Sequence, residues 1–187
     1  MKLIKDKLDE ISKNFTDLAE KSSPLIEEAS KLIISSLQSG GKIMFCGNGG
    51  SAADAQHLSA ELVGRYIKNR DPLASIALTT DTSVITAIGN DFSFDKIFSR
   101  QLESIGNEGD VLYAISTSGN SKNVIEALKI ARKLNIKTIG VTGSEDKGFK
   151  GLCDIIISTP ASRPDRIQEM HIAIGHIICE ILESELC

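Results

Sequence analysis

At 187 residues, 41% hydrophobic and 25% charged, the chain is long enough for one domain with a sizeable core. Its formal net charge is -4, with both signs scattered and no basic block, which argues against a nucleic-acid backbone as partner. The charged start Met1-Lys2-Leu3-Ile4-Lys5-Asp6 does not read as a secretory signal, and no apolar stretch is long enough to span a bilayer, so a cytoplasmic setting is expected. Of the four cysteines, Cys46, Cys153, Cys179 and Cys187, none forms a C-x-x-C pair. In a reducing compartment they read as small apolar residues rather than disulfide partners, with Cys187 at the tail.

The first forty residues read as helix. Ile4, Leu8, Ile11, Phe15 and Leu18 repeat at a 4-3-4-3 spacing, a narrow stripe of the kind used in bundles. Ser23 followed by Pro24 has the pattern of an N-cap and first helical residue, and Leu25, Ile26, Ala29, Leu32, Ile33 and Leu37 continue to a stop at Gly40-Gly41. The reading is a helical hairpin over residues 1–40, packed on the main domain or on another subunit.

From residue 42 short apolar runs alternate with helical segments. The runs are Ile43–Cys46, Ser75–Leu78, Val111–Ile115, Thr138–Val141 and Ile155–Ile157. Helices are expected over about 52–66, 82–104 with a break near Gly89-Asn90, 121–134, and a long last one over about 164–186. That alternation predicts a doubly wound α/β domain with a five-stranded parallel sheet of flavodoxin-like order, covered on both faces. The stretch Gly143–Leu152 reads only as a loop.

Two strand ends carry loops of small residues. The first strand runs into Gly47-Asn48-Gly49-Gly50-Ser51, and the third into Ser116-Thr117-Ser118-Gly119-Asn120-Ser121, each followed at once by a helix. Each could be a tight turn with a serine N-cap. Two together, one with four hydroxyls in six residues, point instead to an anion site made from backbone N–H groups, helix N-termini and hydroxyls. In a flavodoxin-like order the two loops meet at the point where strand order reverses. The first loop lacks the last glycine of the dinucleotide fingerprint and the lysine of a nucleotide P-loop, so a sugar phosphate or similar small anion is expected.

On the helix after the first loop, Asp54, His57, Glu61 and Arg65 share a polar face, with His57 and Glu61 one turn apart. On the last helix His171 lies inside the stripe Ile167, Met170, Ile174, Ile177, Ile178 and Ile181, and reads as a core histidine. His176 lies on the far side with Asp165, Gln168, Ile172 and Cys179. It reads either as an interface histidine or as a functional one. A carboxylate and a histidine beside a phosphate site can move a proton between adjacent sugar carbons. The pair His57 and Glu61 with a further histidine could also hold a divalent metal such as zinc.

Four segments, Cys46–Tyr66, Ala87–Arg100, Ile115–Ser121 and Asp165–His171 followed by His176, resemble in that order the motifs of the phosphoheptose isomerases. The resemblance covers essentially the whole chain as a single sugar isomerase domain. It implies aldose–ketose isomerisation of sedoheptulose 7-phosphate to D-glycero-D-manno-heptose 7-phosphate through an enediol-type intermediate, feeding activated heptose to surface polysaccharide. It implies Glu61 as base and His176 as its acid partner. Asn48, Gly49, Gly50, Ser51, Ser116, Thr117, Ser118 and Ser121 would hold the phosphate end. Asn90, Asp91, Asp165 and Gln168 would position the rest, with Arg65 reaching in from a neighbour. It further implies one zinc per subunit on His57, Glu61, Gln168 and His176, and a homotetramer with active sites between subunits. The rival reading is a non-catalytic sugar isomerase domain serving as a regulatory, partner-binding tetramer. The presence of both Glu61 and His176 favours the enzyme.

Overall fold

The structure, a computed structural model, describes residues 1–146 and 148–187. Five parallel strands, β1 (Ile43–Cys46), β2 (Ser75–Ala77), β3 (Val111–Ser116), β4 (Lys137–Thr142) and β5 (Ile155–Ser158), form one sheet in the order β2-β1-β3-β4-β5. This is the expected flavodoxin-like order. Successive strand residues point to opposite faces. Ile43, Phe45, Val111, Tyr113, Ile139 and Val141 pack on one face against α1 (Lys2–Gln38), α2 (Gly50–Val63) and α6 (Pro164–Leu186). Met44, Cys46, Leu112 and Ala114 pack on the other, beneath α4 (Ser99–Ile105) and α5 (Lys122–Lys133).

The expected single break in the segment 82–104 is wider than the sequence suggested. α3 (Thr82–Asp91) ends at Phe92, a short 3-10 turn (Phe94–Lys96) follows, and α4 starts at Ser99. No helix among the described residues is long and apolar enough to cross a membrane. Cys46 and Cys179 are buried, and all four cysteines are free thiols.

The N-terminal hairpin is not formed. Lys2–Gln38 is one continuous helix with Pro24 inside it. The physical reason is the stripe. Leu18, Ser22, Ile26, Ala29, Ile33 and Ser36 are buried in one unbroken row that passes Pro24 on its solvent side. Ser23 is not an N-cap: its hydroxyl donates back to the Ala19 carbonyl at 2.6 Å, as serines do in helix interiors. Packing along α6 and β5 outweighs the local signal of Ser23-Pro24. The start of the helix is different. Leu3, Ile4 and Leu8, in its first turns, are 60–69% exposed.

His171 is a core histidine, as expected, 1% exposed, with neither ring nitrogen in a well-formed hydrogen bond among the described residues. Burial drives its imidazole down to about 4, and the Thr142 backbone opposes this only in part.

Two outcomes are expected. Pro24→Ala restores a helical N–H and should stabilise the protein by about 1–3 kcal/mol in urea unfolding, whereas at a true hairpin turn it would destabilise. For His171 the folded state binds fewer protons than the unfolded chain between pH 6.5 and about 4. Stability is therefore full above pH 6.5 and falls as pH drops through that window, by about 3 kcal/mol at its limit. His171→Met should flatten that part of the urea-midpoint profile.

Candidate active site

The sheet builds the first half of the site. β1 and β3 are hydrogen-bonded neighbours, with Cys46 level with Ala114, so the loops 47–51 and 116–121 leave the same edge side by side. This is where strand order reverses. The loops are tied by a reciprocal amide pair. Asn48 Nδ2 donates to Asn123 Oδ1 at 2.9 Å, and Asn123 Nδ2 donates to Asn48 Oδ1 at 2.8 Å. Gly49 and Gly119 take positive φ, 56° and 59°, to turn each chain into its helix.

Within the second loop the Ser116 hydroxyl is 2.9 Å from that of Ser121 and 3.5 Å from that of Ser118. The Ser118 hydroxyl also accepts from Asn120 N–H. Ser51 is buried in the first turn of α2, while Thr117 is half-buried and Ser118 exposed. Hydroxyls and two helix N-termini thus gather at one edge of the sheet, the construction expected for a small anion.

The second half comes from α2 and α6. His176 Nε2 on α6 lies 3.0 Å from His57 Nε2 on α2, and His57 Nε2 lies 3.2 Å from Glu61 Oε1. All three ligand-type atoms fall within 4.8 Å of one another, so the group can take a metal ion. Tetrahedral N/O ligands at about 2.0–2.2 Å from a metal sit about 3.3–3.6 Å apart, close to the spacing seen. What makes the approach possible is Gly175, beside His176. A Cβ there would overlap the side chain of Leu58, beside His57.

Gln168 does not join this group within the subunit. Its amide lies against Gly50, where a Cβ would overlap it. Gly50 is about 10 Å back along α2 from His57, and Gln168 is about 12 Å from His176 along the unbroken α6. The subunit therefore assembles a three-residue group, with Gln168 beside the first anion loop.

The remaining expected residues are dispersed. α2 ends at Val63, so Arg65 is not on the helical face with His57. It is exposed in the following loop and donates to the Ile67 carbonyl. Asn90 and Asp91 are exposed at the end of α3, where Asn90 Nδ2 donates to Asp91 Oδ1 at 2.8 Å. Asp165 is exposed in the first turn of α6, held by Arg163 at 2.7 Å and Arg166 at 3.2 Å.

The sequence assigned no role to Asp54. It stands one turn before His57, with Oδ2 buried and without a hydrogen-bond partner among the described residues. Burial pushes its carboxyl up to about 6, against the pull of His57. Its signal was its place on the polar face of α2, three residues ahead of His57.

Residues 8–143 match the model of the SIS domain family. The phosphoheptose isomerase of Rhodospirillum rubrum is 54% identical over 165 residues, 88% of each chain. The solved phosphoheptose isomerase of Neisseria gonorrhoeae superposes with a TM-score of 0.92 at 42% identity, over 98% of both chains. That of Francisella tularensis does so with a TM-score of 0.94 at 35% identity, over 98% of this chain and 97% of its own.

The amide pair between the loops generates an expectation. Asn123→Ala removes both inter-loop bonds and should weaken binding of inorganic phosphate about tenfold, as read by calorimetry, without loss of fold.

Proposed function

Since the chain belongs to the SIS domain family and, within it, to the phosphoheptose isomerases, it is a sugar-phosphate isomerase, and we propose that Glu61 and His176 carry its proton transfers. The convergence of His57, Glu61 and His176, further along the helix that starts at the first anion loop, supports this reading.

The substrate is sedoheptulose 7-phosphate. Its phosphate lies on the loops 47–51 and 116–121, and its carbonyl end extends along α2. Glu61 takes a proton from C1, while His176 gives a proton to the carbonyl oxygen at C2. The enediol that results loses the proton of the C1 hydroxyl to His176, and Glu61 returns its proton to C2. The aldose, D-glycero-D-manno-heptose 7-phosphate, is formed with both groups back in their starting states. Asp54, Asp165 and Gln168 are the residues we assign to position the sugar hydroxyls. Activated heptose for surface polysaccharide is the destination of the product.

Zinc is the metal we assign to His57, Glu61 and His176, because two imidazoles and a carboxylate suit it and leave a position open. When bound, it supplies a Lewis acid at the sugar oxygens. The chain works as a homotetramer. The exposed Leu3, Ile4 and Leu8 of α1, with Ile67 and Ile177 close to the site, are apolar surface that a second copy would cover. Arg65, Asn90 and Asp91 then serve a neighbour's site.

The test is turnover of sedoheptulose 7-phosphate against six-carbon ketose phosphates, with and without a chelator. The expected result is preference for the seven-carbon substrate and loss of activity on chelation, restored by zinc. Glu61→Gln and His176→Ala should each lower kcat by about 10²–10⁴-fold while phosphate binding and fold persist. A folded wild type with no turnover under any metal condition would move the reading to a regulatory domain.

A further inference from the structure

One buried ion pair has no part in the chemistry described so far. Glu183 is 3% exposed, near the end of α6. Its Oε1 accepts from the backbone N–H of Tyr66 at 3.1 Å, and its Oε2 accepts from those of Ile67 at 2.8 Å and Lys68 at 2.7 Å. Arg70 Nε donates to Oε1 at 3.1 Å, with both side chains only 4% exposed. Burial pushes the Glu183 carboxyl up, but the three backbone N–H groups and Arg70 outweigh it and hold it below the usual range.

The other arm of Arg70 ends on α2. Its Nη2 donates to the Glu61 carbonyl at 2.9 Å and its Nη1 to the Leu62 carbonyl at 2.9 Å. These belong to the last turn of the helix, whose carbonyls lack intrahelical partners. Arg70 is therefore a C-terminal cap that grips the main chain of Glu61 itself. On α6, Glu183 is two turns beyond His176 and on the same side of the helix. The loop it gathers includes Tyr66, whose ring centroid is 5.8 Å from that of His176.

The geometry points to Arg70 and Glu183 as a positioning pair that fixes the end of α2 against α6 and so holds Glu61 in register with His176. The inference rests on the reading of Glu61 and His176 as the proton-transfer pair. Gly175 and Leu58 set how close the two helices lie. The pair sets where Glu61 stands along that contact. A salt bridge of purely structural value would leave the turnover of any folded variant unchanged. This one is joined to the backbone of Glu61 and to the neighbour of His176, so loosening it displaces the reacting groups.

The experiment compares Glu183→Gln, Arg70→Lys and the wild type for kcat, KM and cobalt(II) binding, using only protein with native far-UV signal and a melting temperature above the assay. Lysine keeps the charge but cannot donate to Glu183 and to both carbonyls at once, so Arg70→Lys is the milder variant if Glu183→Gln fails to fold. Each folded variant is expected to lose about 100-fold in kcat with KM changed less than threefold, because the anion loops lie at the other end of α2. Cobalt(II), followed by its visible absorption, is expected to bind at least tenfold more weakly. Unchanged kcat and unchanged cobalt affinity in a folded variant would overturn the inference. If the wild type turns over no sugar phosphate, the functional reading fails, and cobalt affinity alone then decides the positioning claim. A wild type that neither turns over nor binds cobalt overturns both.

Discussion

Where Gly175 meets Leu58, α6 comes so near α2 that even one methyl group on the glycine would overlap the leucine. The rest of the site depends on that contact. His57 and His176 are the next residues along each helix, and their ring nitrogens reach 3.0 Å only because the helices nearly touch. Leu58 and its neighbours Ala55 and Leu62 are buried on the sheet face beneath α6, so neither helix can roll to relieve the approach. Interiors packed this densely have discrete arrangements rather than soft ones. The histidine–glutamate group is therefore a product of core packing, preformed before any ligand arrives.

The anion loops obey a different constraint, that of sheet topology. Reversal of strand order between β1 and β3 opens a crevice that no side chain needs to carve. The donors there are neutral, yet the chain is formally -4. An anion at that edge would be drawn by local dipoles rather than by the overall field.

Much of this was legible in the sequence. Alternation of short apolar runs with helices announced the sheet, and the two serine and glycine loops marked the edge where its strand order reverses. His57 and Glu61 could be paired from their spacing alone. The long-range pairing of His57 with His176 could not, because it needs the register of two helices 119 positions apart. The error at Ser23-Pro24 came from weighting a local start signal above a stripe that ran on through it. Helix α2 was expected to reach residue 66 and stops at Val63, because Glu183 pulls the N–H groups of Tyr66, Ile67 and Lys68 out of helical pairing. Glu183 itself was not singled out from the sequence. The clue was its position in the buried row with Cys179 and Leu182.

Helix α2 acts as the ruler between the two halves. Its first residue, Gly50, touches Gln168 beside the anion loops, and its last full turn carries Glu61. From Gly50 to His57 the rise is about 10 Å. The two ends are also stabilised independently. Asn48 and Asn123 hold the loops together, whereas Gly175 and Leu58 hold the helices. Binding and chemistry can thus be weakened separately, and a change at one end should leave the other nearly intact. That separation follows from building the site along a helix whose two ends are fixed by different parts of the core.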